Sequence, residues 1–143
     1  MSFIAPAVAR RGVVDWAELI FKDHGFLRLY WHNEHEIAPG MWRCNQPSPG
    51  RIRIAADRGI KTIINLRGPR ADGGWRLEAE ACATYGLTLM DFTARSRAAP
   101  DKQMLHAAEA LFTEMKLPAM MHCKSGADRA GLMAALYLLI VEK

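Results

Sequence analysis

The stretch that decides the fold is Met120-Met121-His122-Cys123-Lys124-Ser125-Gly126-Ala127-Asp128-Arg129-Ala130-Gly131. An apolar strand over 118–121 runs into a cysteine; five residues later comes an arginine, and an apolar helix follows. A strand, a tight loop and a helix in this order let backbone N–H groups between Lys124 and Arg129 turn inward around an anion, with Lys124, Ser125, Gly126, Ala127 and Ala130 as its contacts. The positive end of the helix dipole adds to the pull. The Arg129 guanidinium can hold two phosphate oxygens at once. Such an electropositive loop favours the thiolate form of Cys123, and a thiolate aimed at a bound phosphorus is where covalent phosphoryl transfer begins.

Outward from this loop, the chain alternates helix and strand. Residues 13–24 read as a short amphipathic helix capped by Asp15, with Trp16, Leu19 and Ile20 on one face and Gly25 at its end. Residues 27–31 and 41–44 read as strands. Ser48-Pro49 opens a helix with a capping side chain and a first-turn proline, Gly59 closes it, and residues 60–66 form a buried strand. A second such unit has a helix over 75–85, Gly86 as its stop and a strand over 87–92. Asp101 caps a third helix on which Met104, Leu105, Ala108, Leu111, Phe112 and Met115 recur at helical spacing. Residues 118–122 are the last strand and 130–142 the last helix. The expectation is an α/β fold with a mostly parallel central sheet covered by helices. Residues 1–40 read as an N-terminal helix-and-strand extension, and 41–143 as the catalytic domain of one compact unit.

Composition narrows the class. At 143 residues with half of them apolar, the chain is long enough for one cored domain. No apolar run is long enough to span a bilayer, and the start lacks the pattern of a secretory signal. Cys44, Cys82 and Cys123 are sparse, odd in number and without zinc spacing, which fits a reducing cytoplasm. The net charge of +4 suits an anionic ligand. His32-Asn33-Glu34-His35-Glu36 reads as a polar loop between strands rather than a metal site. No metal, cofactor or nucleic-acid partner is called for. Trp16, Trp31, Trp42 and Trp75 are read as core, Cys44 and Cys82 as small buried hydrophobes, and His24 and His106 as surface or capping residues.

The His122–Arg129 stretch resembles the H-C-x5-R motif, with glycine third after the cysteine, of the cysteine-dependent protein tyrosine and dual-specificity phosphatases. Met41-Trp42-Arg43-Cys44-Asn45-Gln46-Pro47 and Ile63-Ile64-Asn65-Leu66-Arg67 resemble the atypical branch that includes plant and fungal inositol pyrophosphate phosphatases and their bacterial relatives. The resemblance covers residues 40–142 and implies a dual-specificity-phosphatase-like fold. Members usually continue with further helices, so a chain stopping at Lys143 is expected to be a fragment with an apolar face of its last helix uncovered. The resemblance implies Cys123 as nucleophile and Arg129 as phosphate clamp. It also implies a phosphorylated protein, an inositol phosphate or a phosphoinositide as substrate.

The general acid is open among three aspartates. Asp128 gives C-x-x-G-x-D-R, which resembles the myotubularin lipid phosphatases and certain bacterial phosphatases in which the loop aspartate is the proposed acid; it is the favoured choice. Asp101 is second, although helix capping accounts for it. Asp91 has the family separation from Cys123 but sits inside a strand. Ala130 departs from the serine or threonine that relatives carry after the arginine, which predicts slow breakdown of a phosphocysteine unless Ser125 or a water takes over. Arg67 and Arg70, Arg95 and Arg97, and Lys124 with Arg129 follow three successive strands and are expected to converge on one crevice, although some can instead pair with Asp72 and Glu78. Convergence favours a polyphosphorylated small molecule or lipid headgroup over phosphotyrosine protein. Lys124 faces either substrate or water. A rhodanese-type sulfurtransferase and a non-catalytic phosphate-binding module are the rival readings.

Overall fold

The computed structural model describes residues 3–5, 12–22, 31–95 and 98–142. Strands β1 (His35–Ala38), β2 (Met41–Cys44), β3 (Thr62–Asn65), β4 (Thr88–Asp91) and β5 (Ala119–His122) form one sheet in the order β1-β2-β5-β3-β4. β1 is antiparallel to β2, and the other three pairings are parallel. Helices α2 (Pro49–Asp57), α3 (Gly73–Tyr85) and α4 (Lys102–Glu114) make the crossovers, and α5 (Asp128–Ile140) follows β5. The mostly parallel α/β architecture is the one the alternating pattern calls for.

The central strands are buried from end to end, Thr62–Asn65 and Ala119–His122 alike, as a sheet covered on both faces requires. Their side chains alternate between two cores. Ile63, Leu89 and Met120 meet Ile52 and Ala55 of α2 and Ala81 and Cys82 of α3. Ile64, Met90 and Met121 meet Ala108 and Leu111 of α4 and Met133 and Tyr137 of α5. Ser48 accepts a hydrogen bond from Arg51 N–H and Asp101 from Met104 N–H, and Gly86 ends α3 in the left-handed conformation, so these boundaries follow from local chemistry.

Several elements differ from the reading of the sequence. α1 covers only Val13–Ala17 and passes into a π-helical turn at Glu18–Lys22. Gly12, not Asp15, stands at its N-cap; Asp15 lies within the helix, buried, with a carboxylate oxygen 3.6 Å from Arg76 of α3. The cause is tertiary: a Cβ on Gly73 would stand 2.4 Å from the Asp15 backbone, so α1 seats directly on the start of α3. α3 consequently begins at Gly73, capped by Asp72, rather than at Trp75. Residues 23–30, including His24, Gly25 and most of the expected 27–31 strand, lie outside the described residues, and Trp31 is in no strand. β1 begins within the stretch taken as a polar loop. Of the four tryptophans only Trp75 is core; Trp16 and Trp31 are exposed, and Trp42 is half-buried beneath the Arg58 guanidinium, 4.4 Å from its ring. Among the described residues no helix is long and apolar enough to cross a membrane.

Candidate active site

The four parallel strands end level. Cys44 and Asn65 both stand in register with His122, and Asp91 with Asn65. The loops leaving this edge carry the chemistry, as ligand sites of open parallel sheets do. From β5 the chain enters Cys123, turns through Lys124–Ala127 and begins α5 at Asp128, two residues before the expected start.

Cys123 is buried, and the Gly126 N–H donates to its Sγ at 3.2 Å. Gly126 has φ 77°, and a Cβ there would lie 2.7–2.8 Å from backbone atoms of Cys44 and Asn45. Both the left-handed conformation and the close approach demand glycine. The loop is tied down on its outer side. Gln46 N–H donates to the Lys124 carbonyl at 3.3 Å, and the Asn33 side-chain amide to the Ser125 carbonyl at 3.0 Å. Ser125 Oγ accepts from Ala127 N–H at 3.3 Å. Ala127, at the N-cap of α5, makes no side-chain capping bond, so the start of this helix is open to an anion. Arg129 is half-buried in the first turn, Asp128 is exposed beside it, Lys124 is half-buried, and Ala130 is fully buried.

The other aspartates have settled partners. Asp101 caps α4, accepting from Met104 N–H at 2.8 Å. Asp91 accepts from Asn65 Nδ2 at 2.8 Å and from Trp75 Nε1 at 3.0 Å. Burial pushes its carboxyl above the usual range, against the opposing effect of those two donors. Burial also raises the thiols of Cys44, to about 12, and of Cys82, which keeps both in the unreactive form.

The basic side chains are less convergent than the strand order suggests. Arg70 pairs with Asp72 at 3.3 Å, and Arg67 donates to Gln46 Oε1 at 2.9 Å. Arg95 lines a cleft of about 440 Å³ with Asp91, Thr93, Asp101 and Met104, formed by the end of β4 and the start of α4 rather than by the cysteine loop. Arg97 lies outside the described residues. Glu34 is held by Arg51 at 3.1 Å and Arg58 at 2.5 Å; although burial opposes it, these two guanidinium groups hold its carboxyl below the usual range. Among the described residues no group of three or more His, Cys, Asp or Glu side chains is placed to hold a metal.

Reading from sequence missed a buried chain of side chains behind the loop. His122 Nε2 meets Glu78 Oε1, Gln46 Nε2 donates to Glu78 Oε2 at 2.9 Å, and Gln46 Oε1 takes the bond from Arg67. The available signal was Glu78 itself, which shares a helix face with Trp75, Ala81 and Cys82; an acid on that face needs buried partners.

With its cysteine loop between the central strand and a helix of such a sheet, the chain is an atypical member of the cysteine-dependent phosphatase superfamily. The family model described as DSP-PTPase phosphatase fused to NAD+ kinase matches residues 28–143, and the chain belongs to that family. Among solved structures it is similar to TpbA from P. aeruginosa, with 23% identity and a TM-score of 0.60 over 78% of this chain and 65% of that one; TpbA has also been solved in complex with pTyr. A DUF442 protein from Shewanella putrefaciens CN-32 matches with 18% identity and a TM-score of 0.64, over 78% of this chain and 74% of that one. The core catalytic domain of the PP-IP phosphatase SIW14 from S. cerevisiae, in complex with citrate, matches with 17% identity and a TM-score of 0.61, over 73% of this chain and 63% of that one. The chain therefore spans less than two thirds of the first of these TpbA chains and of the SIW14 domain. Comparison with curated proteins returned no match.

Proposed function

We propose that this chain hydrolyses phosphate monoesters through a phosphocysteine intermediate, with Cys123 as nucleophile, Arg129 as clamp and Asp128 as general acid. The observation that carries the reading is Cys123 Sγ at the base of the loop, with the Gly126 N–H directed at it from 3.2 Å. That N–H is a hydrogen-bond donor aimed at the sulfur, and the open start of α5 draws a phosphate toward the same point. Sγ attacks phosphorus in line; the S–P bond forms as the ester P–O bond breaks, and the leaving oxygen takes the proton of Asp128. Arg129 and the loop amides hold the equatorial oxygens as charge spreads over them. Water then attacks phosphorus and returns a proton to Asp128. Orthophosphate leaves and the thiolate is restored.

The substrate class is phosphotyrosine protein or a polyphosphorylated inositol or lipid. Related folds include one solved with pTyr and one named a PP-IP phosphatase. Arg67 is engaged with Gln46 and Arg95 lines a separate cleft, so the basic side chains do not choose between these classes. Three free, buried cysteines fit a reducing compartment such as the cytoplasm.

The test is Cys123→Ser against an aryl phosphate. Turnover should vanish while the melting temperature and vanadate binding persist; vanadate should inhibit the parent and chelators should not. Activity that survives the serine, or is lost to a chelator, overturns the reading.

A further inference from the structure

We infer that Glu78 is the positioning residue of the cysteine loop, acting through His122; this rests on the phosphocysteine reading above. Glu78 is 1% exposed, His122 0% and Gln46 1%. Burial of this degree leaves each polar atom dependent on its protein partner.

Direction is forced along the chain from Arg67 to His122. A guanidinium only donates, so the Gln46 oxygen must face Arg67, as it does at 2.9 Å. The Gln46 amide nitrogen is thereby turned to Glu78, at 2.9 Å. The carboxylate, an acceptor at both oxygens, ends that line and receives the His122 Nε2–H on its other side. One side chain from α3 thus calls for a donor at Nε2 of His122 and sets the ring's rotation. The other ring nitrogen, Nδ1, lies 3.4 Å from the Cys123 carbonyl oxygen and bonds it as a donor when it carries hydrogen as well. The ring therefore sets the peptide that aims Sγ. The same line anchors Gln46, whose backbone N–H holds the Lys124 carbonyl, so both ends of the first loop segment depend on Glu78.

An acid is needed at one place only if polarity matters, and exchanging the two side chains tests that. In Glu78→Gln one amide oxygen must serve two donors, the Gln46 N–H₂ and the His122 Nε2–H, so the amide N–H₂ meets one of them unless the His122 ring gives up its Nε2 proton. In the double variant Gln46→Glu/Glu78→Gln every bond can reform: Arg67 donates to the new carboxylate, the new amide donates to it as well, and the amide oxygen accepts from His122. We expect Glu78→Gln to lower kcat on an aryl phosphate by about ten- to hundredfold, the effect of an unmet buried hydrogen bond. KM and vanadate binding should change little, because the anion contacts are made by other groups, and the swap should restore most of kcat.

Alkylation of Cys123 by iodoacetate, followed on its peptide by mass spectrometry, gives a readout independent of turnover. It should change several-fold in Glu78→Gln and return in the swap. A parent without phosphatase activity would defeat the functional reading alone, since alkylation still reports the positioning. The positioning role is overturned if Glu78→Gln matches the parent in kcat and alkylation. It is equally overturned if the swap does no better than the single variant or fails to fold, or if losses in kcat and KM merely track a fall in melting temperature.

Discussion

Three aspartates stand near the sheet edge, and their surroundings assign them different work. Asp91 is half-buried with its oxygens turned to Asn65 and Trp75, and Asp101 spends a carboxylate oxygen on the Met104 amide. Asp128 is exposed in the first turn of α5, next to the proposed phosphate clamp. A proton donor must reach the leaving oxygen, and the loop's own aspartate is the one whose location follows the bound phosphate. Asp128→Asn should therefore slow alkyl phosphates, whose leaving groups need a proton, by about 10²–10⁴-fold. Aryl phosphates with good leaving groups should lose far less. Steady-state rates across a leaving-group series check this; an equal loss on all esters would mean that Asp128 shapes the loop instead.

At the scale of elements, the helix starts divide into two kinds. Ser48, Asp72 and Asp101 each satisfy an amide of their own helix, whereas α5 begins at Ala127 without such a bond. Capped starts are structural; an uncapped one beside a cysteine loop leaves donors for a ligand. Asp101→Ala should accordingly lower stability by about 0.5–2 kcal/mol in denaturant titration and leave kcat unchanged. A large kcat loss in a folded Asp101→Ala protein would transfer the acid role to it. The Ser48 and Asp101 caps and the apolar strands β3 and β5 were legible in the sequence because each rests on neighbours within a few residues; the Asp72 cap was not read there. α1 was not, since its start is set by the fit of Asp15 against Gly73. Nor was β1, an edge strand whose two charged or polar leading residues are exposed and only Ala38 is buried.

Across the whole molecule, the sheet edge gathers residues far apart in the chain: Asn33 and Gln46 clamp the loop, Glu78 reaches it through His122, and Asn65 ties β3 to Asp91. The cysteine loop and its arginine were legible as a contiguous motif. The buried line from Arg67 to His122 was not, because its members come from separate elements and only Glu78 breaks a local pattern. The Arg70–Asp72 pair was among the pairings the sequence allowed, whereas the Arg67 bond to Gln46 was not, because strand order brings basic residues to one edge but does not decide which neighbour each one meets. Ala130, fully buried in the same core cluster as Cys123, offers no hydroxyl to help sulfur leave in the second step of the proposed reaction, so the proposed phosphocysteine should accumulate. The direct measurement is rapid-quench kinetics with an aryl phosphate, followed by peptide mass spectrometry. The account predicts a burst of aryl alcohol close to one equivalent per protein and phosphate on the Cys123 peptide. Phosphate on any other residue, or turnover at the parent's rate with that peptide unmodified at every quench time, would contradict it.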